Sequence, residues 1–153
     1  MSGKFKKIGI IGKFRDDIVG DTIQTLYDFL IERDHEVLLD EVSAMVLPEL
    51  DMPVGDRDEL GEHSDLVIIV GGDGTFLNAA RTLNDYQVPL LGINLGRLGF
   101  LTDINSEKIR GRLGAILDGE YVEEERFLLH GSFEYESGEG EIASSDAFND
   151  IVV

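Results

Sequence analysis

Cysteine is absent from the 153-residue chain. That excludes disulfides, thiolate metal centres and cysteine nucleophiles, and it suits a reducing compartment. Long hydrophobic runs are missing too. The Leu66–Val70 stretch is among the longest, far below the roughly 18 residues that would span a bilayer, and the first 20 residues lack a secretory core. No membrane association and a cytoplasmic location are therefore expected. Basic residues are scarce, 13 against 31 acidic ones for a net charge of -18, so nonspecific attraction to nucleic acid is not expected. Residues 120–153 hold ten acids and the single base Arg126, a net of -9 and half the total, whereas Lys4, Lys6, Lys7, Lys13 and Arg15 crowd the start. The composition, 42% hydrophobic and 29% charged, is that of a folded domain with a real core.

Short apolar runs alternate with segments of helical periodicity. Strands are predicted at residues 5–12, 35–39, 66–70 and 88–93, and helices at 16–30, 76–83 and 106–117. In the first helix Ile18, Ile23, Leu26, Phe29 and Leu30 recur at helical spacing. Residues 41–62, with Pro48 and Pro53, read as a loop with a short helix. The all-apolar run at 66–70 is the mark of a parallel strand covered on both faces. The fold class is α/β, a doubly wound and mostly parallel sheet flanked by helices. After Gly119 the pattern changes to strands at 126–135 and 147–153 without a helix between. The expected organisation is an α/β domain at 1–119 and the first strands of a β-rich domain at 120–153. Because the sequence stops inside an apolar β-branched run, it is expected to be the front part of a longer protein.

Gly71-Gly72-Asp73-Gly74-Thr75 falls between the buried strand and a helix. Glycines let the backbone turn tightly and approach a ligand, and free N–H groups at a helix start hold phosphate oxygens. Thr75 could cap the helix or donate its hydroxyl to a phosphate. Asp73 would repel a phosphate unless it has another task, such as accepting a hydrogen bond from a substrate hydroxyl or helping to hold a metal ion. A tight strand-to-helix turn with Asp73 as a helix-end acid explains the same five residues. The fingerprints G-x-G-x-x-G and the Walker loop are absent around Gly9, Gly12 and Lys13, so neither a standard dinucleotide fold nor a Walker ATPase is expected. A second glycine-rich loop, from Asn94 through Gly96 and Gly99 to Asp103, leaves the fourth strand. If the third and fourth strands are parallel neighbours, both loops share the carboxyl edge, where open α/β sheets bind ligands. Leu98, Phe100 and Leu101 are apolar for a loop, suiting either a packed plug or a wall for a purine. His35, His63 and His130 show no ligand spacing and read as structural.

GGDGT, then NLGRLGFLTD, then Phe148-Asn149-Asp150 resemble the three N-terminal signatures of NAD kinases. The first motif is shared with diacylglycerol and sphingosine kinases and the second is far more specific. The match spans essentially the whole chain but only the front half of a typical member. The resemblance implies transfer of the terminal phosphoryl group of ATP, or in some members polyphosphate, to the 2′-hydroxyl of the adenosine ribose of NAD, with a divalent metal ion (Mg or Mn). It implies that Asp73 accepts the hydroxyl proton, that Gly74 flanks the dinucleotide, that Leu98, Gly99 and Phe100 lie beside adenine, and that Asn149 and Asp150 contact NAD. Asp150 is one methylene shorter than the usual glutamate. Gly71, Gly72 and Thr75 are candidate phosphate contacts, as are Lys13 and Arg15 just past the first strand. An aspartate is a weak base against a sugar hydroxyl, and phosphoryl transfer runs through a loose transition state, so Asp73 is expected to orient the hydroxyl and take its proton late. A homo-oligomer is expected. The competing readings are a lipid or sugar kinase with a GGDG loop, and a non-catalytic nucleotide-binding or dimerisation fragment.

Overall fold

The structure, a computed structural model, describes residues 4–13, 17–45, 47, 51–96, 99–102, 104–133 and 143–148. The chain divides into two compact units, Met1–Tyr121 and Val122–Val153.

In the first unit β1 (Lys7–Gly12), β2 (Glu36–Asp40), β3 (Val54–Gly55), β4 (Leu66–Val70), β5 (Leu90–Asn94) and β6 (Ile104–Asn105) form one sheet in the order β3-β2-β1-β4-β5-β6, parallel throughout. The doubly wound sheet expected from the sequence is present. Its strand order is that of dinucleotide-binding sheets, so the missing glycine fingerprint did not exclude that topology; it excluded only one way of holding the phosphates.

Alternate strand side chains feed two cores, because successive residues of a strand point to opposite faces. Ile8, Ile10, Leu66, Ile68, Val70 and Ile93 pack on one face, with Val19, Ile23, Leu26, Phe29 and Leu30 of α1 (Asp17–Ile31). Ile11, Val67 and Ile69 pack on the other, with Leu60 of α3 (Arg57–His63) and Phe76 and Ala79 of α4 (Asp73–Thr82). Every residue of β4 is buried, as a continuous apolar run at the centre of such a sheet requires. In α1 the buried stripe begins at Val19, and Ile18, expected inside, is 58% exposed.

Residues 41–62 hold more order than a loop with one short helix: α2 (Glu41–Met45), the edge strand β3 and α3. Asp56 and Glu59 form a reciprocal capping box that starts α3. The expected strand at 88–93 runs from Leu90 to Asn94. The segment expected as one helix at 106–117 is a 3-10 turn (Ser106–Lys108), a π-helical turn (Ile109–Leu113) and α5 (Gly114–Leu117).

The second unit contains an antiparallel pair, β7 (Leu129–Phe133) and β8 (Ala143–Ala147). The second strand thus precedes the expected 147–153, and residues 149–153 lie outside the described part. His130 Nδ1 faces Asp146 Oδ1 across the ladder at 2.6 Å.

Candidate functional site

Winding outward from β1 to β3 and then back to β4 puts a crevice at the carboxyl ends of β1 and β4, the position where ligands enter such sheets. Lys13 leaves β1 there. Its N–H donates to the Val70 carbonyl at 2.9 Å, and the Gly71 N–H donates to the Ile93 carbonyl at the same distance. The strand ladder therefore holds the start of the glycine turn in place.

The turn is shorter than expected. α4 begins at Asp73 rather than at residue 76, and Gly72 is its N-cap, with no side-chain capping bond. Thr75 is therefore a first-turn residue and not the cap. A side chain at Gly71 would meet Thr75 Oγ1 at 2.7 Å, so packing demands glycine there. At Gly72 and Gly74 a Cβ would meet nothing within 4 Å, and the backbone of Gly72 (φ -106°, ψ -173°) is open to any residue. These two glycines face free space at the electropositive end of a ten-residue helix.

Asp73 joins the two loops. Its Oδ2 accepts from the Phe100 N–H and its Oδ1 from the Leu101 N–H, each at 3.0 Å. A Cβ on Gly99 would overlap this carboxylate, so the close approach requires glycine. The base of the second loop has its own anchor. Asn94 Nδ2 donates to Thr102 Oγ1 at 3.0 Å inside the protein, and Asn94 Oδ1 accepts from the Gly96 N–H at 2.8 Å. Sequence reasoning passed over Asn94 and Thr102; the available signal was an amide at the end of an otherwise apolar strand. The two readings of the apolar loop divide between its residues. Leu101 is half-buried against the core cluster to which Phe76 and Ala79 belong, whereas Phe100 is 102% exposed.

A second polar network lies at the end of β2. Asp40 is buried, with Oδ1 accepting from Arg57 Nε at 2.6 Å and Oδ2 from Ser43 Oγ at 3.0 Å. Ser43 Oγ in turn accepts from the Gly12 N–H at 2.9 Å, and Arg57 Nη1 donates to Thr82 Oγ1 of α4 at 3.2 Å. The network braces the end of β1, from which Lys13 projects exposed.

The structure thus brings together Gly71, Gly72, Asp73, Gly74, Thr75, Gly99 and Phe100. Arg15, Leu98, Asn149 and Asp150 lie outside the described residues. Among the described residues no three His, Asp or Glu side chains gather in a manner that could hold a metal ion, and no helix is long and apolar enough to cross a membrane.

Residues 8–121 match the family model described as the ATP-NAD kinase N-terminal domain. An NAD kinase of Azotobacter vinelandii is 46% identical over 149 residues, which are 97% of this chain and 50% of that protein. An NAD kinase of Pseudomonas aeruginosa is 45% identical over the same share of each. The chain spans about half the length of these relatives. Among solved structures, a yeast NADH kinase complexed with NADH superposes with a TM-score of 0.73 at 16% identity, over 96% of this chain and 50% of that one. An Archaeoglobus fulgidus NAD kinase in complex with ATP gives a TM-score of 0.57 at 27% identity, over 82% of this chain and 42% of that one.

Proposed function

Because the chain belongs to the ATP-NAD kinase family through its N-terminal domain, we propose that the protein transfers the terminal phosphoryl group of ATP to the 2′-hydroxyl of the adenosine ribose of NAD, breaking its bond to the bridging oxygen and giving NADP and ADP. The observation that carries the reading is Asp73: a lone carboxylate between two glycines that the fold does not need, on the carboxyl edge of the sheet, bonded to the loop that bears the exposed Phe100. The relatives at 45% and 46% identity are NAD kinases, which supports both substrates.

In this reading the ribose hydroxyl donates to Asp73. The carboxylate fixes the direction of the attacking oxygen and takes its proton as the bond to phosphorus forms. Positioning and charge stabilisation do most of the work in such transfers. Phe100, with Leu98 and Gly99, lies along adenine; Gly74 flanks the dinucleotide; Asn149 and Asp150 contact it. The open approach at Gly72, with Gly71, Thr75, Lys13 and Arg15, receives phosphate oxygens on backbone N–H groups and positive charge. The described residues build no cage for a divalent cation, so none is assigned to one. Such an ion would arrive with the ATP phosphates, to which Mg commonly stays bound, and would neutralise their charge. A cytoplasmic location and a homo-oligomer complete the proposal.

The test is NADP formation from NAD, ATP and Mg by the full natural chain and by its Asp73→Asn variant. The substitution keeps the shape and removes the proton acceptor. Losing one well-placed acid or base costs on the order of 100- to 10,000-fold in rate. Near-normal turnover by the variant would overturn the role of Asp73, and no NADP from the unaltered protein would overturn the function.

A further inference from the structure

We propose that Asp73 also positions the loop beside adenine: its carboxylate is a clasp that holds residues 99–101 against the start of α4, and Gly99 is a positioning residue that lets the clasp close. The inference rests on the reading of Asp73 and Phe100 as dinucleotide contacts given above. Two successive N–H groups, of Phe100 and Leu101, each donate to a different oxygen of one carboxylate, an arrangement that fixes the carboxylate plane as firmly as it fixes the loop. The Phe100 ring is fully exposed, so packing does not hold residue 100 in place; its backbone bond to Asp73 does. Gly99 lacks a positive φ, and the three nearest atoms an alanine Cβ there would meet all belong to the Asp73 carboxylate.

A carboxylate offers about four lone-pair positions, and the clasp uses two. Those left over remain for a sugar hydroxyl, and because the two loop bonds fix the carboxylate, the clasp sets how that hydroxyl must approach. Holding the loop and accepting the hydroxyl are compatible, and each sets the geometry of the other. Asp73 substitutions should accordingly slow the transfer and weaken dinucleotide binding, and Gly99→Ala, which leaves the Asp73 acceptor in place, should weaken binding as well.

The experiment compares the full natural chain with Gly99→Ala, Asp73→Ala and the double variant, by amide hydrogen exchange and by equilibrium binding of NAD without ATP. Exchange at residues 66–70 reports whether each variant is folded. Phe100 and Leu101 amides should exchange at least about tenfold faster in both single variants, as expected for loss of bonds to a charged acceptor. Gly99→Ala should bind NAD about tenfold more weakly although Asp73 is intact. The double variant should be no worse than Asp73→Ala, because the added methyl group then has no carboxylate to collide with. Unchanged protection of both amides in Gly99→Ala, or additive losses in the double variant, would overturn the clasp. Lost amide protection with no NAD binding by any form, the unaltered chain included, would leave the clasp standing and overturn the dinucleotide reading.

Discussion

Glycines at the candidate site divide by what each one's absent side chain would touch. Gly71 and Gly99 are glycine for the protein's own sake, since Thr75 and Asp73 occupy the space. Gly72 and Gly74 face open space, so only something outside the described residues, such as a ligand, gives them a reason to be small. Gly74 lies inside the first turn of α4, where alanine is favoured over glycine by up to about 1 kcal/mol. Gly74→Ala is therefore expected to raise stability by up to ~1 kcal/mol in urea unfolding, while lowering NADP formation by the full natural chain. A variant that is both more stable and fully active would remove Gly74 from the site. This division was not legible in the sequence. GGDGT showed that the backbone could turn and admit a ligand, yet which glycines serve the turn depends on where Thr75 and the second loop pack. Asp73 was legible as the odd acid in the cradle; its bonds to Phe100 and Leu101 were not, because they cross 27 and 28 residues of chain.

Elements followed the sequence where burial left them no choice. β4 occupies the expected residues because an all-apolar run can only be central, whereas β3 and β6 are two-residue edge strands, too short to show a period. α3 carried a readable start signal in Asp56-x-x-Glu59, obscured by Pro48 and Pro53 just before it. The Asp40 and Arg57 pair ties these elements together, and the carboxylate side chain is only 1% exposed against 25% for the arginine. Removing Arg57 leaves a buried charge without its partner, a loss that commonly costs about 3–5 kcal/mol. Arg57→Leu is expected near the lower end of that range by chemical denaturation, because Ser43 still donates to Asp40. A loss below ~1 kcal/mol would show that the pair is as cheap to break as an exposed one. At the head of β2, burial is the largest influence on His35 and pulls its pKa below the usual histidine value, opposed by a hydrogen bond with the Phe5 backbone. The folded state then binds the proton less readily than the unfolded state, whose histidine titrates near ~6.5. The stability this group contributes is present above that pH and is lost as the pH falls through the lower folded value. Subtracting the acid titration of His35→Gln from that of the parent should reveal a loss confined to that window; a flat difference would exclude His35 as a source of acid sensitivity.

At the scale of the whole molecule, charge and exposed apolar surface pull in opposite directions. The net charge of -18, half of it in residues 120–153, sets like copies to repel. Yet in the Val122–Val153 unit, Val122 is 93%, Phe127 82% and Leu129 39% exposed. The only sheet described there is the two-stranded β7 and β8 ribbon; two strands alone are marginal, and exposed apolar side chains beside them can be covered by another chain. Repulsion between exposed charges fades beyond roughly 10 Å at 0.1 M salt, while apolar burial survives screening. The 153-residue chain is therefore expected to be monomeric at low ionic strength and to associate as salt is added. Phe127→Ser should move the onset to higher salt, since it removes the largest of the three exposed side chains. Light scattering against sodium chloride concentration checks both statements. A chain that stays monomeric at 1 M salt, or one whose association is indifferent to Phe127, would show that this surface does not drive contact between copies.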